Sequence, residues 1–186
     1  DGFVIGEGAG VAILGSEASA RRRGARIHAR VLGHATTSEA YNIMAPLPDG
    51  EGMARTMVQA LGEAAIAPER IDYINAHGSS TPLNDRYEVK AIKSVFGEAA
   101  RRIPVSSAKS MIGHTAGACG AIEAIITLLT ITRGIVTPTI NYEPDADLDL
   151  DFVPNQAREQ RVDVALSNAF GFGGCNATLV LGRYDA

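Results

Sequence analysis

IDYINAHGSSTPLNDRYEVKAIKSVF, residues 71–96, is the stretch from which the rest of the chain is read. Its first six residues are a short, largely apolar run carrying Ile71, Tyr73 and Ile74, which predicts a buried strand over 71–76. A loop of small and hydroxyl residues follows, opening on His77. From residue 84 to 96, Val89, Ile92 and Phe96 recur on one helical face, with Gly97 as the stop. A strand that leads directly into a helix is the unit of an α/β layered fold, and the flanking sequence repeats the alternation.

Downstream, residues 103–107 read as a strand. Residues 116–132 read as a helix apolar on nearly all sides, which implies burial between layers. The stretch 137–151, rich in proline and acids, predicts an irregular excursion. Strands over 162–167 and 177–181 then enclose the glycine turn GFGG at 171–174. Upstream, Met53, Met57, Leu61 and Ala64 recur at helical spacing, giving an amphipathic helix over 51–66 ended by Pro68. Residues 27–37 read as a strand, and Ser16 caps a short helix through Arg23, with Gly24 as its left-handed stop. In residues 2–14 (GFVIGEGAGVAIL) glycines alternate with apolar residues, which suits a buried strand, or a bent pair, approached closely by another backbone. There is no internal repeat.

A chain of 186 residues buries roughly 70% of its extended surface, enough for a true core. The composition, 46% hydrophobic and 20% charged, is that of a folded domain and not of a disordered one. The net charge of −4 and a single basic run, Arg21-Arg22-Arg23, argue against nucleic acid as a partner. Two cysteines, Cys119 and Cys175, make neither a disulfide framework nor a paired metal site. The most apolar stretch, 118–131, is shorter than the ~20 residues of a membrane span and contains Glu123. A cytoplasmic location is expected. The chain opens at Asp1 directly into the apolar run Phe3-Val4-Ile5, which reads as a piece of something longer.

The chemistry gathers around two histidines. His77 follows a predicted strand, the address at which open α/β sheets place ligands. His114 precedes the most apolar helix, whose positive dipole end should keep the imidazole neutral. Two neutral rings, each donating one N–H, would form an oxyanion site. Lys109, in the turn SSAKSMIGH, is either a solvated surface charge or an electrostatic part of that site. Phe172, inside GFGG, is either a buried plug or a movable gate. The glycine turn is not a dinucleotide loop, because a strand and not a helix follows it. Ser106 and Lys109 fit an SxxK pattern without its companion motifs. His77, Asp85, Glu88 and His114 match no zinc spacing, so no metal is expected.

Three ordered motifs carry a resemblance: INAHGSSTPLND at 74–85, SSAKSMIGHTAGACGAIE at 106–123 and SNAFGFGGCNATLVL at 167–181. Together with the opening segment and PTINYEPDADLDLDFVPNQAR, they are similar to the type II β-ketoacyl-[acyl-carrier-protein] synthases of fatty acid synthesis. The resemblance implies a thiolase-like fold, a five-layered αβαβα sandwich of two similar halves. Residues 1–24 would then end the first half and residues 25–186 form the second.

It further implies that His77 and His114 stabilise the enolate formed when a malonyl thioester loses carbon dioxide, with Lys109 acting electrostatically beside the second of them, His114. Phe172 resembles the gating residue that contributes to an oxyanion hole. Ser79 and Thr81 occupy positions that contact phosphopantetheine, and Asn75, Glu123 and Asn168 resemble polar supports. The substrate would ride on the phosphopantetheine arm of an acyl carrier protein, with no separate cofactor, and the complete protein would be a homodimer.

The sequence also departs from the pattern. The nucleophilic cysteine belongs to the half outside this segment, and Cys119 and Cys175 stand where alanine and threonine are usual. Ser79 replaces a threonine. Two other readings stay open: a non-catalytic partner resembling a chain-length factor or another polyketide ketosynthase subunit, and a thiolase. The late cysteine lacks the thiolase CxG pattern, since Asn176 and Ala177 follow it.

Overall fold

A mixed sheet organises the chain in the computed structural model, which describes residues 2 and 4–185; Asp1 and Phe3 of the apolar opening, and Ala186, lie outside the described residues. The strands are β1 (Ala29–Ser38), β2 (Tyr73–Asn75), β3 (Val105–Ser106), β4 (Ile135–Val136), β5 (Arg158–Glu159), β6 (Val164–Gly171) and β7 (Cys175–Arg183). Five of them form one sheet in the order β1-β7-β6-β2-β3, and β4 and β5 pair separately. The β1/β7 and β7/β6 pairs are antiparallel, whereas β2 runs parallel to both β6 and β3.

The helices are α1 (Glu17–Arg22), α2 (Glu51–Ala64), α3 (Pro82–Phe96), α4 (Lys109–Ile112) and α5 (Cys119–Arg133). Successive strand residues face opposite sides of a sheet, and the core follows that alternation. Ile74, Leu166 and Val180 pack with Met53, Met57 and Leu61 of α2 and with Ile92 and Phe96 of α3. Their neighbours Tyr73, Ala165 and Leu181 belong to a second cluster with Ile131 of α5. The segment is therefore an αβα sandwich, with α2 and α3 on one face of the sheet and α5 on the other.

Most expected elements are present with shifted ends. Ser16 caps α1, its hydroxyl accepting from the Ser19 amide at 3.2 Å. Helix α2 stops at Ala65 in a left-handed conformation, and not at Pro68, which instead opens a short 3-10 turn. Helix α3 starts at Pro82, two residues before the expected start, because proline at a first helical position lacks only an N–H that would have no partner there. Strands β6 and β7 run closer to the glycine turn than expected, pairing down to Gly171 opposite Cys175.

Two expectations are corrected. Residues 2–14 form no extended ladder: their only sheet-like contact among the described residues is a parallel bridge from Ile5 to His114, and Val11, Ile13 and Leu14 are exposed. The close backbone approach is nevertheless present. A Cβ on Gly6 would lie 2.2 Å from the Ile112 carbonyl oxygen, and one on Gly10 would lie 2.9 Å from the Ile122 amide nitrogen. Helix α5 is also not buried on all sides. Its buried stripe is Cys119, Glu123, Thr127, Thr130 and Ile131, while Ile125, Ile126 and Leu129 stay half-buried. It has a single sheet to lie on, and it turns its polar side toward that sheet.

By length and composition alone, residues 116–133 could cross a bilayer. The packing assigns this helix to the core, since Ile131 belongs to a buried cluster and Glu123 pairs with a buried lysine.

Candidate active site

Parallel strands β2 and β3 end side by side, and the segments that leave them build the site, as at the carboxyl edge of other open α/β sheets. His77 lies two residues past β2, and Lys109 opens α4 three residues past β3. The two exits are fastened together. Ser107 Oγ donates to the Gly78 carbonyl at 2.9 Å, and a Cβ on Gly78 would fall 2.5 Å from that of Ser107. Gly78 has φ +43°, so glycine serves there both for its backbone angle and for the close approach.

Lys109 is buried, which removes the solvated-charge alternative. An ammonium has three protons, and each finds an acceptor: the His77 carbonyl at 2.6 Å, His77 Nδ1 at 3.3 Å and the carboxylate of Glu123. Because an ammonium can only donate, Nδ1 of His77 is an acceptor, and the ring carries its proton on Nε2.

His114 reaches the same tautomer by another route. The Ala116 amide donates to its Nδ1 at 3.1 Å. Its backbone is clasped by the opening segment, the His114 amide donating to Val4 at 2.7 Å and the Gly6 amide donating to His114 at 3.1 Å. The two imidazoles meet edge-to-face, their centroids 5.5 Å apart at 84°.

Both rings are held neutral. Burial, then the charge of Lys109 and then His114, push His77 well below the ordinary histidine value. Burial and Lys109 also lower His114. The helix dipole proposed from sequence is thus not the leading cause; the helix-end amide of Ala116 acts by fixing the tautomer.

The polar supports lie beneath. Asn75 Nδ2 donates to Ser167 Oγ at 3.3 Å across the β2/β6 register. Asn168 accepts from Thr178 at 2.9 Å and donates to Glu88 at 3.3 Å. Burial drives the Glu123 carboxyl up to about 7 against the opposing effect of Lys109. Ser79 and Thr81 are hydrogen-bonded to each other at 3.0 Å and, with Lys109 and His114, line a cavity of about 1010 Å³.

Phe172 caps the β6/β7 turn and is 61% exposed, so it is no buried plug. The aromatic ring against His77 is Phe170, with centroids 6.1 Å apart.

Sequence reasoning missed Glu88 as a support. Its carboxylate accepts from the His77 and Gly78 amides, both at 2.9 Å, and burial raises its pKa despite them. The signal was present: Glu88 stands four residues before Ile92, on the apolar face of α3. The clasp of His114 by Val4 and Gly6 had no such signal, because backbone pairing between distant segments leaves no side-chain pattern.

Residues 28–143 match the family described as the β-ketoacyl synthase C-terminal domain. The chain is 52% identical, over its full length, to 3-oxoacyl-[acyl-carrier-protein] synthase 2 of Staphylococcus aureus strain COL and to the same-named protein of a Synechocystis strain. It spans 45% of each relative's length.

Among solved structures, an ishigamide ketosynthase/chain length factor matches with a TM-score of 0.94 and 44% identity, over 98% of this chain and 45% of that one. A β-ketoacyl synthase from Burkholderia phymatum matches with a TM-score of 0.86 and 38% identity, over 91% of this chain and 41% of that one. A type II polyketide ketosynthase bound to a hexaketide, in complex with its acyl-carrier protein, matches with a TM-score of 0.89 and 44% identity, over 91% and 42%.

Proposed function

The chain belongs to the β-ketoacyl synthase family through its C-terminal domain, and from that membership we propose that it supplies the decarboxylation half-site of a 3-oxoacyl-[acyl-carrier-protein] synthase. In the polypeptide that carries it, residues 1–24 close the first thiolase-like half and residues 25–186 form the second. The complete protein is a cytoplasmic homodimer that receives malonyl groups on the phosphopantetheine arm of an acyl carrier protein and holds no resident cofactor.

The observation that carries this reading is the pair of neutral imidazoles, each with Nδ1 taken by a donor from its own chain: Lys109 for His77 and the Ala116 amide for His114. Each ring therefore donates from Nε2. When a malonyl thioester loses carbon dioxide, its C–C bond breaks and the electron pair spreads onto the thioester carbonyl oxygen. Two fixed N–H donors stabilise that charge where water is excluded, each by on the order of 3 kcal/mol. The enolate carbon then attacks an acyl thioester held on a cysteine outside this segment. Cys119 is buried against His114 and Thr115, and Cys175 opens β7 in an exposed position; neither serves as that nucleophile.

Ser79 and Thr81 face the cavity through which the arm enters, Phe172 gates the acyl side, and Asn75, Glu123 and Asn168 hold the frame. A chain-length-factor role is disfavoured by the joint presence of His77, His114 and Lys109. The test is elongation of an acyl-carrier substrate: the intact polypeptide should elongate, and the 186-residue segment alone should not. Condensation by the segment alone would overturn the half-site assignment.

A further inference from the structure

We propose that Cys119 is a positioning residue for His114, its thiol sharing Nδ1 with the Ala116 amide and so holding the ring proton on Nε2. The inference rests on the catalytic reading of His114 given above. Cys119 is the first residue of α5 and is buried. Its Sγ lies 3.6 Å from His114 Nδ1, within hydrogen-bond range for sulfur, and 3.3 Å from Thr115 Oγ1, whose hydroxyl donates to it.

The direction of the thiol–imidazole contact follows from its neighbours. Nδ1 already accepts from a backbone amide, so it bears no proton, and the sulfur must be the donor. The Thr115 hydroxyl approaches the sulfur as a donor, which leaves the S–H to point at the ring. Thr115, Cys119 and His114 thus form a short relay of three groups, each oriented by the one before. An S–H is a weak donor, but here it adds to an amide already in place. Both contacts favour the neutral ring with Nδ1 bare, because an Nδ1–H would confront two donors.

Alanine at this position would remove the thiol donor and leave the Thr115 hydroxyl without its acceptor. Serine would keep a donor on a shorter arm. The test is ¹⁵N NMR of the His114 imidazole in the intact polypeptide, comparing wild type, Cys119→Ala and Cys119→Ser over a pH series. The expected result is a protonation midpoint about 0.5 pH unit higher in C119A, a threefold change in the protonation ratio, with a detectable Nδ1–H population. C119S should return most of that shift.

Equal midpoints in all three proteins, or equal shifts in both variants, would reduce Cys119 to a packing residue and overturn the proposal. Failure of the underlying reading shows differently: His114→Ala would then leave malonyl decarboxylation intact, whatever the NMR reports.

Discussion

At the scale of single residues, the site depends on Lys109, whose three protons are divided between His77 and Glu123. Removing one partner of a buried ion pair leaves the other uncompensated. Lys109→Met should therefore cost the intact protein about 3 kcal/mol in urea denaturation, and K109M combined with Glu123→Leu should recover most of that stability. Both variants should decarboxylate more slowly than wild type, since both leave His77 Nδ1 without its donor. A stable K109M that decarboxylates at the wild-type rate would contradict the assignment.

The pH dependence separates two kinds of group. His77 and His114 are lowered, so the unfolded chain takes up protons first as pH falls. Their contribution is complete above the ordinary histidine value of 6.5 and is lost as pH falls toward the folded values. Glu123 is raised to about 7, so its contribution is complete below 4.5 and is lost as pH rises through about 7. Glu123→Gln should flatten the loss of stability between those values and leave the acid side unchanged, as read from urea midpoints across pH.

At the scale of elements, legibility followed the kind of force involved. Strand β2 and helices α2 and α3 announced themselves because burial of apolar side chains imposes a period of two or 3.6 residues. That the two histidines and Lys109 gather in one cluster was readable from their motifs. Helix α5 misled because most of its apolar residues are not on its buried face, where Glu123, Thr127 and Thr130 stand beside Cys119 and Ile131. The opening segment misled because its glycines serve close packing over α5 and the clasp of His114, and not a ladder. Such contacts are made by backbone atoms and leave no period. Gly6→Val should push the segment off Ile112 and release that clasp. Hydrogen exchange at the His114 amide should then accelerate about tenfold or more, with the amides of β6 and β7 unaffected. An unchanged rate at His114 would mean that Val4 and Gly6 do not hold it.

At the scale of the whole molecule, one sector of exposed apolar surface lies along the opening segment. Ile5, Val11, Ile13 and Leu14 are 70%, 86%, 88% and 79% exposed, beside a helix whose outer isoleucines and leucines are only half-buried. Contiguous apolar surface of this kind drives association. The isolated 186-residue chain should self-associate at micromolar concentration in sedimentation, and Ile126→Glu with Leu129→Lys should return it toward monomer. A monomeric wild-type segment would show that this sector closes on itself.

The central claim concerns the two imidazoles, and carbon dioxide release from a malonyl thioester by the intact protein tests it most directly. His77→Ala and His114→Ala should each slow release by about 10²–10³-fold while acyl loading onto the cysteine continues. Release at the wild-type rate in either variant would contradict the account.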